Sequence, residues 1–207
     1  MRKIEKSAEP ESLQKYKKMV KNNDWNLMHK NNHEVYDDIL FQCLIDQKDV
    51  CGYTEVKLND RTHIDHFIKR DIDPTQTFVW DNMIAAVHDS KFGSDFKDKT
   101  VSLVDYDKIR VTYHHILSPV RDNVSNRFHY MTNGMIEPAD VTDTDACETI
   151  RFFNLNEGSL VTRRKEAMKA VRDCLDGGMT KEEIYQYLDE FPSAVAYEIN
   201  QYELLMS

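Results

Sequence analysis

Apolar residues recur at helical spacing over the first fifty positions: Leu13, Tyr16 and Val20, then Val35, Ile39, Leu40, Cys43 and Leu44. Intervals of three and four predict two amphipathic helices, over residues 10–22 and 33–48. From 51 to 67 the pieces shorten and become β-compatible around the turn-like Asn59-Asp60. A hairpin of Tyr53 to Leu58 with Thr62 to Phe67 is expected there. The mostly apolar run from Phe78 to Val87 is open to both readings, since its Ala and Met favour helix while Phe, Val and Trp favour strand. Beyond the polar stretch His88 to Lys99, the pieces Ile109 to Tyr113 and Phe128 to Met131 alternate, with Asn133-Gly134 as a turn signal, and predict short strands. Helical spacing returns after residue 140, over Thr144 to Phe153, Leu160 to Leu175, Lys181 to Phe191 and Ala194 to Leu205. The third of these follows the helix-stopping pair Gly177-Gly178 and opens with Thr180 and Glu183 at capping-box spacing. The order predicts an α+β fold in three parts: a helical segment over 1–50, a central domain over 51–175 and a helical hairpin over 176–207.

Composition narrows the class. At 207 residues, with 41% hydrophobic and 10% aromatic content, the chain can bury a real core, and 6 Gly with 5 Pro exclude collagen-like or linker-dominated architecture. No apolar run approaches the roughly eighteen residues of a membrane span, and the charged start Met1 to Lys6 lacks a secretory h-region. Cys43, Cys51, Cys147 and Cys174 are far apart and form no Cys-x-x-Cys pair, so reduced thiols in a cytoplasmic protein are expected. The 27 Lys and Arg against 36 Asp and Glu leave a formal charge of −9. Such a chain does not coat nucleic acid by itself, and any contact with phosphates must be local or shared with a basic partner. Residues 176–207 hold seven acids and one base, Lys181, which suits packing on the main domain or docking to a partner protein. The basic run Arg163, Arg164, Lys165, Lys169 and Arg172 reads as a solvated face, a phosphate contact or a dock for an acidic partner.

The sharpest cluster is His63-Ile64-Asp65-His66, followed by Asn82 and by His88, Asp89, Asp95 and Lys97. On a strand, His63 and Asp65 point one way, while His66 lies at the strand end, where a loop can turn it toward the same pocket. A carboxylate can hold a hard divalent cation, and an adjacent neutral imidazole can take a proton from an attacking water. The same residues also read as satisfied imidazoles, a strand-end hydrogen-bond pair and a capping asparagine.

A longer pattern surrounds the cluster. It comprises Met1-Arg2-Lys3-Ile4, Cys51-Gly52-Tyr53-Thr54-Glu55, His63-Ile64-Asp65-His66-Phe67, Trp80-Asp81-Asn82, Phe96-Lys97-Asp98, Thr149-Ile150, Leu155-Asn156 and Arg163. Over residues 1–165 this resembles the PtuB-like HNH endonucleases of Septu-type and retron-linked antiphage defence systems. The resemblance implies a central ββα-metal (HNH) motif within a mainly helical domain and an enzyme that hydrolyses DNA phosphodiester bonds as the toxic effector of a defence complex. It implies His66 as general base, Asp65 as a metal ligand, Asn82 as the residue orienting the loop that positions His66, and His63 lining the site. His88 and Asp95 are rival candidates for the remaining ligand, and Lys97, Lys91, Lys69 and Arg70 are candidate nucleic-acid contacts. The implied cofactor is Mg²⁺ or Mn²⁺. The implied partners are a PtuA-like ABC/SMC-family ATPase and, in retron-linked systems, a reverse transcriptase with its msDNA. The chain departs from many relatives in placing Thr54 where a second thiolate would follow Cys51, so no structural zinc is expected. The competing reading is a non-catalytic HNH-fold adaptor that assembles a defence complex through its acidic tail.

Overall fold

The computed structural model describes residues 1–20, 24–102 and 113–206. Helix α1 (Glu11–Met19) buries Leu13 and Tyr16. Helix α2 (Trp25–Asn31) begins where the Asp24 carboxylate accepts from the Leu27 N–H at 2.9 Å, and it buries Trp25 and Met28. Helix α3 (His33–Gln47) turns Val35, Ile39, Cys43 and Gln47 inward, a strict four-residue repeat that forms one buried stripe. Next come strand β1 (Thr62–His66), strand β2 (Met83–Val87) and helix α4 (Gly93–Ser102). A small pair, β3 (Phe128–Tyr130) with β4 (Ile136–Pro138), leads to helices α5 (Thr144–Phe152), α6 (Gly158–Asp176), α7 (Lys181–Tyr187) and α8 (Pro192–Met206). The architecture is α+β, and among the described residues no helix is long and apolar enough to cross a membrane.

Two local expectations need correction. Strand β1 pairs with β2, antiparallel, from Thr62 opposite Val87 to His66 opposite Met83, and not with Tyr53 to Leu58. The segment 53–58 is a compact turn, closed by hydrogen bonds from the Cys51 N–H to the Val56 carbonyl at 2.8 Å and from the Glu55 N–H to the Cys51 carbonyl at 2.9 Å. Tyr53, Thr54, Glu55 and Val56 are all buried, so the two-sided alternation that a surface hairpin needs is missing. The ambiguous run 78–87 divides between both readings: a 3-10 turn over Trp80–Asn82, then β2. Helix α2 was not foreseen, and the first predicted helix ends at Met19, with residues 21–23 outside the described set. The strand expected over Ile109 to Tyr113 lies, except for Tyr113, outside the described residues as well.

Every residue of β2 is buried, because α3 and α4 both pack against it. Gln47 acts as a substitute for a third strand: its side-chain carbonyl accepts from the Ala85 N–H at 2.8 Å, and its amide donates to the Ala85 carbonyl at 2.8 Å. Gly52 completes the junction by donating to the same Ala85 carbonyl at 3.1 Å. A Cβ at that position would lie 2.4 Å from Ile84 Cγ2, so only glycine fits.

The acidic tail is docked. Ile184, Val195 and Ile199 join Val171 of α6 in a small core of their own. Ion pairs Lys57 with Asp189, Arg163 with Glu190 and Arg172 with Glu198 tie it to the rest of the chain. Buried Glu55 accepts from the Ser193 N–H at 3.0 Å and the Ser193 hydroxyl at 2.5 Å. Thr180 and Glu183 form the expected capping box. Arg164, expected on a basic face, is instead buried and donates to the carbonyls of Gly134 at 2.7 Å and Leu155 at 3.0 Å.

Candidate metal centre

Strands β1 and β2 and helix α4 form a contiguous two-strand and helix unit, and the chemistry gathers on it. His63 lies near the start of β1, His88 immediately follows β2, and Asp95 lies in the first turn of α4, where negative charge is favoured. The two imidazoles stack with centroids 3.6 Å apart and planes 11° apart. His88 Nδ1 lies 3.0 Å from Asp95 Oδ1, and His63 Nε2 lies 4.0 Å from the same oxygen. One ligand atom from each of the three falls within 4.8 Å of the others, a spacing that a single cation can span. Among the described residues His63 Nδ1 is buried with no hydrogen-bond partner, while Nε2 faces the Ser94 hydroxyl at 3.2 Å. Burial pushes the His63 pKa down, which favours the neutral ring that metal ligation requires.

His66, at the end of β1, is buried. Its Nε2 lies 2.9 Å from the Thr77 carbonyl; a carbonyl only accepts, so Nε2 carries the proton and Nδ1 keeps the lone pair. The Trp25 ring meets the imidazole edge to face, with centroids 4.6 Å apart at 88°. Burial lowers the His66 pKa to about 4, so the ring is neutral at physiological pH. Asn82 is fully buried and clasps the intervening loop: its carbonyl accepts from the Ile68 N–H at 2.8 Å, and its amide donates to Ile68 O at 3.0 Å and Gln76 O at 3.2 Å. That loop carries Thr77, so Asn82 holds the segment that orients His66.

Asp65 lines the same cleft as His63, His66 and His88. Its Oδ2 accepts from Lys97 Nζ at 2.6 Å and from the Tyr53 hydroxyl at 2.5 Å. Lys97 was expected to touch phosphate, but it is completely buried, because Ser94, Lys97 and Val101 form the inward face of α4. Desolvation alone would lower its pKa, yet the neighbouring carboxylate of Asp65 reverses the sign and raises it. Lys69 and Arg70 line a cleft of about 190 Å³ together with His63, Asp65, His66 and His88. Lys91 is exposed and is not among the residues lining that cleft.

The structure thus brings His63, His88 and Asp95 together, has His66 line one cleft with His63 and His88, and gives Asp65 a lysine partner. Tyr53, Thr77, Ser94 and Trp25 belong to the site and were not singled out in advance. Only Tyr53 had a signal, its place in the Cys51 to Glu55 segment. No protein-family model and no curated protein matches the chain.

Proposed function

We propose that the protein is a metal-dependent HNH endonuclease that hydrolyses DNA phosphodiester bonds. The observation that carries this reading is the two-strand and helix unit on which His63, His88 and Asp95 converge, with a neutral, oriented His66 lining the cleft shared by His63 and His88. Two imidazoles and a carboxylate suit a divalent transition ion, and among the described residues His63 Nδ1 is a buried polar atom with no hydrogen-bond partner. Such an ion would stabilise the charge that develops on the phosphate as the bond breaks.

The chain's own groups then divide the work. His66 Nδ1 accepts the proton of the attacking water, and the Thr77 carbonyl holds the ring so that this lone pair stays presented. Asn82 fixes the loop that carries Thr77. Lys69 and Arg70 supply positive charge at the cleft for the backbone of the bound strand, local attraction that the net charge of −9 otherwise withholds. The resemblance over residues 1–165 extends the reading to the effector of an antiphage complex, working with an ABC/SMC-family ATPase in the cytoplasm.

The test is plasmid cleavage by the purified chain with its co-expressed ATPase, wild type beside His66→Ala, with Mn²⁺ or Mg²⁺ and then EDTA. Cleavage that falls at least about 100-fold in the variant and disappears in chelator is expected. Intact plasmid in every lane, with phage protection unchanged by His66→Ala, would overturn the nuclease reading and leave an adaptor.

A further inference from the structure

The basic run on α6 is sorted by its partners. Arg163 is held by Glu190, Arg172 by Glu198, and Arg164 is buried against two carbonyls. Lys165 and Lys169 remain: both are exposed, and neither ammonium has an ion pair or hydrogen bond among the described residues. They line one concavity of about 170 Å³ with Thr132, Met168, Arg172 and Glu198. Its far wall is the turn joining β3 to β4, which is pressed onto the helix. A Cβ on Gly134, at φ +89°, would lie 2.1 Å from the Val161 carbonyl and 2.9 Å from Lys165 Cβ, so a side chain there would push the turn off α6. Among the lining residues the only carboxylate is that of buried Glu198, and Arg172 neutralises it. Two positive charges are left facing solvent in a chain of net charge −9.

We propose that this groove is a second hold for the phosphodiester backbone of DNA, with Lys165 and Lys169 as its phosphate contacts and the Thr132 hydroxyl as a third donor. It shares no lining residue with the cleft of His63, His66 and His88. The choice of phosphate follows from the donors. Carboxylates are gripped best by the planar fork of arginine, and Arg163 and Arg172 already spend theirs on carboxylates of this chain. What remains are two ammoniums, compact point charges with rotatable donors, one helical turn apart and about 6 Å along the axis, a span that suits neighbouring phosphates of one strand. The inference rests on the nuclease reading for the identity of its ligand and on different residues for its geometry. Two contacts are a modest addition, worth roughly a tenfold change in affinity between 50 and 200 mM salt.

Fluorescence anisotropy of a labelled DNA duplex with the full-length chain, in EDTA and across a series of salt concentrations, tests the groove without relying on cleavage. The double variant Lys165→Gln with Lys169→Gln is expected to bind about tenfold more weakly, and its plot of log affinity against log salt should flatten by about 1.8. The charge-preserving pair Lys165→Arg with Lys169→Arg should keep wild-type binding. Lys18→Gln with Lys48→Gln, the same change of charge at exposed lysines outside the groove, should leave the affinity unchanged. An equal loss in that control, an unaltered salt slope in the groove variant, or wild type that binds no duplex at low salt would each overturn the proposal. Poly-glutamate that binds wild type more tightly than the duplex and is lost in the groove variant would replace DNA with an acidic protein. Inorganic phosphate that displaces the duplex at equal phosphate concentration would reduce the groove to a free-phosphate site. The two readings fail separately. Cleavage that needs His66 together with duplex binding untouched by the groove variant leaves the nuclease and removes the groove, whereas the expected binding losses without any cleavage remove the nuclease and leave the groove.

Discussion

Asn82 shows how much one side chain can carry. It is fully buried with one accepted and two donated hydrogen bonds, all to backbone groups of the loop between β1 and β2. Asn82→Ala strands the Ile68 N–H, so a loss of roughly 2–3 kcal/mol in urea unfolding is expected, with cleavage falling further than stability. Asn82→Ala unfolding at the same urea midpoint as wild type would count against the clasp. Residue identity told part of this story in advance: His63 and Asp65 are two apart on a strand, and the asparagine follows Trp80. It could not tell the fate of Lys97. A lysine in a polar run reads as a solvated cation, and only the packing of α4 on the strands turns position 97 inward. Nor could spacing show that Asp65 would spend an oxygen on a lysine while His63 joined His88 and Asp95.

At the scale of elements, long helices with regular apolar spacing were legible, α3 and α6 above all, as was the capping box of α7. The β1 and β2 pairing was not, because its partner lies beyond a loop and a nearer segment, Tyr53 to Leu58, offered β-compatible residues that burial claimed for a turn. The short helix α2 lacks the length for a clear period. Gln47 carries the contact between α3 and β2, and Gln47→Met, similar in length, leaves the Ala85 N–H unpaired in the core. A loss of about 1–3 kcal/mol is expected by denaturant titration. On α5, Asp143 caps the helix through the Ala146 N–H at 3.0 Å and forms a two-pronged ion pair with Arg127. The Arg127 hydrogen bonds hold its carboxyl below the usual range. A carboxyl whose folded pKa is depressed adds stability above its ordinary value of 3.8, and that stability is lost as pH falls through the lower folded value. Asparagine caps a helix as well as aspartate, so Asp143→Asn loses only the charged pair with Arg127, up to about 1 kcal/mol at pH 7, and thermal melts of variant and wild type should converge at the acid end of that window.

Across the whole molecule, the net charge of −9 conceals a division of labour. Part of the acidity of the tail is neutralised internally, by Lys57, Arg163 and Arg172, and part of the basic run on α6 is used up by the same pairs. The positive groups left at the cleft are few, so the proposed nuclease would have to draw its DNA affinity from an assembly. One contact made for packing also turns the chain into an instrument. There are two tryptophans, and Trp80 is engaged elsewhere, donating to the Ser7 carbonyl at 2.9 Å, whereas Trp25 lies against the His66 ring. In a Trp80→Phe variant the remaining indole emission becomes an optical gauge of that imidazole, because a protonated ring quenches an adjacent indole and a neutral one does so weakly. Emission should hold steady at neutral pH and fall as His66 protonates near its pKa of about 4, a step that His66→Gln abolishes. The same light signal then reports, in real time and without a label, when the proton-accepting group of the cleft is engaged.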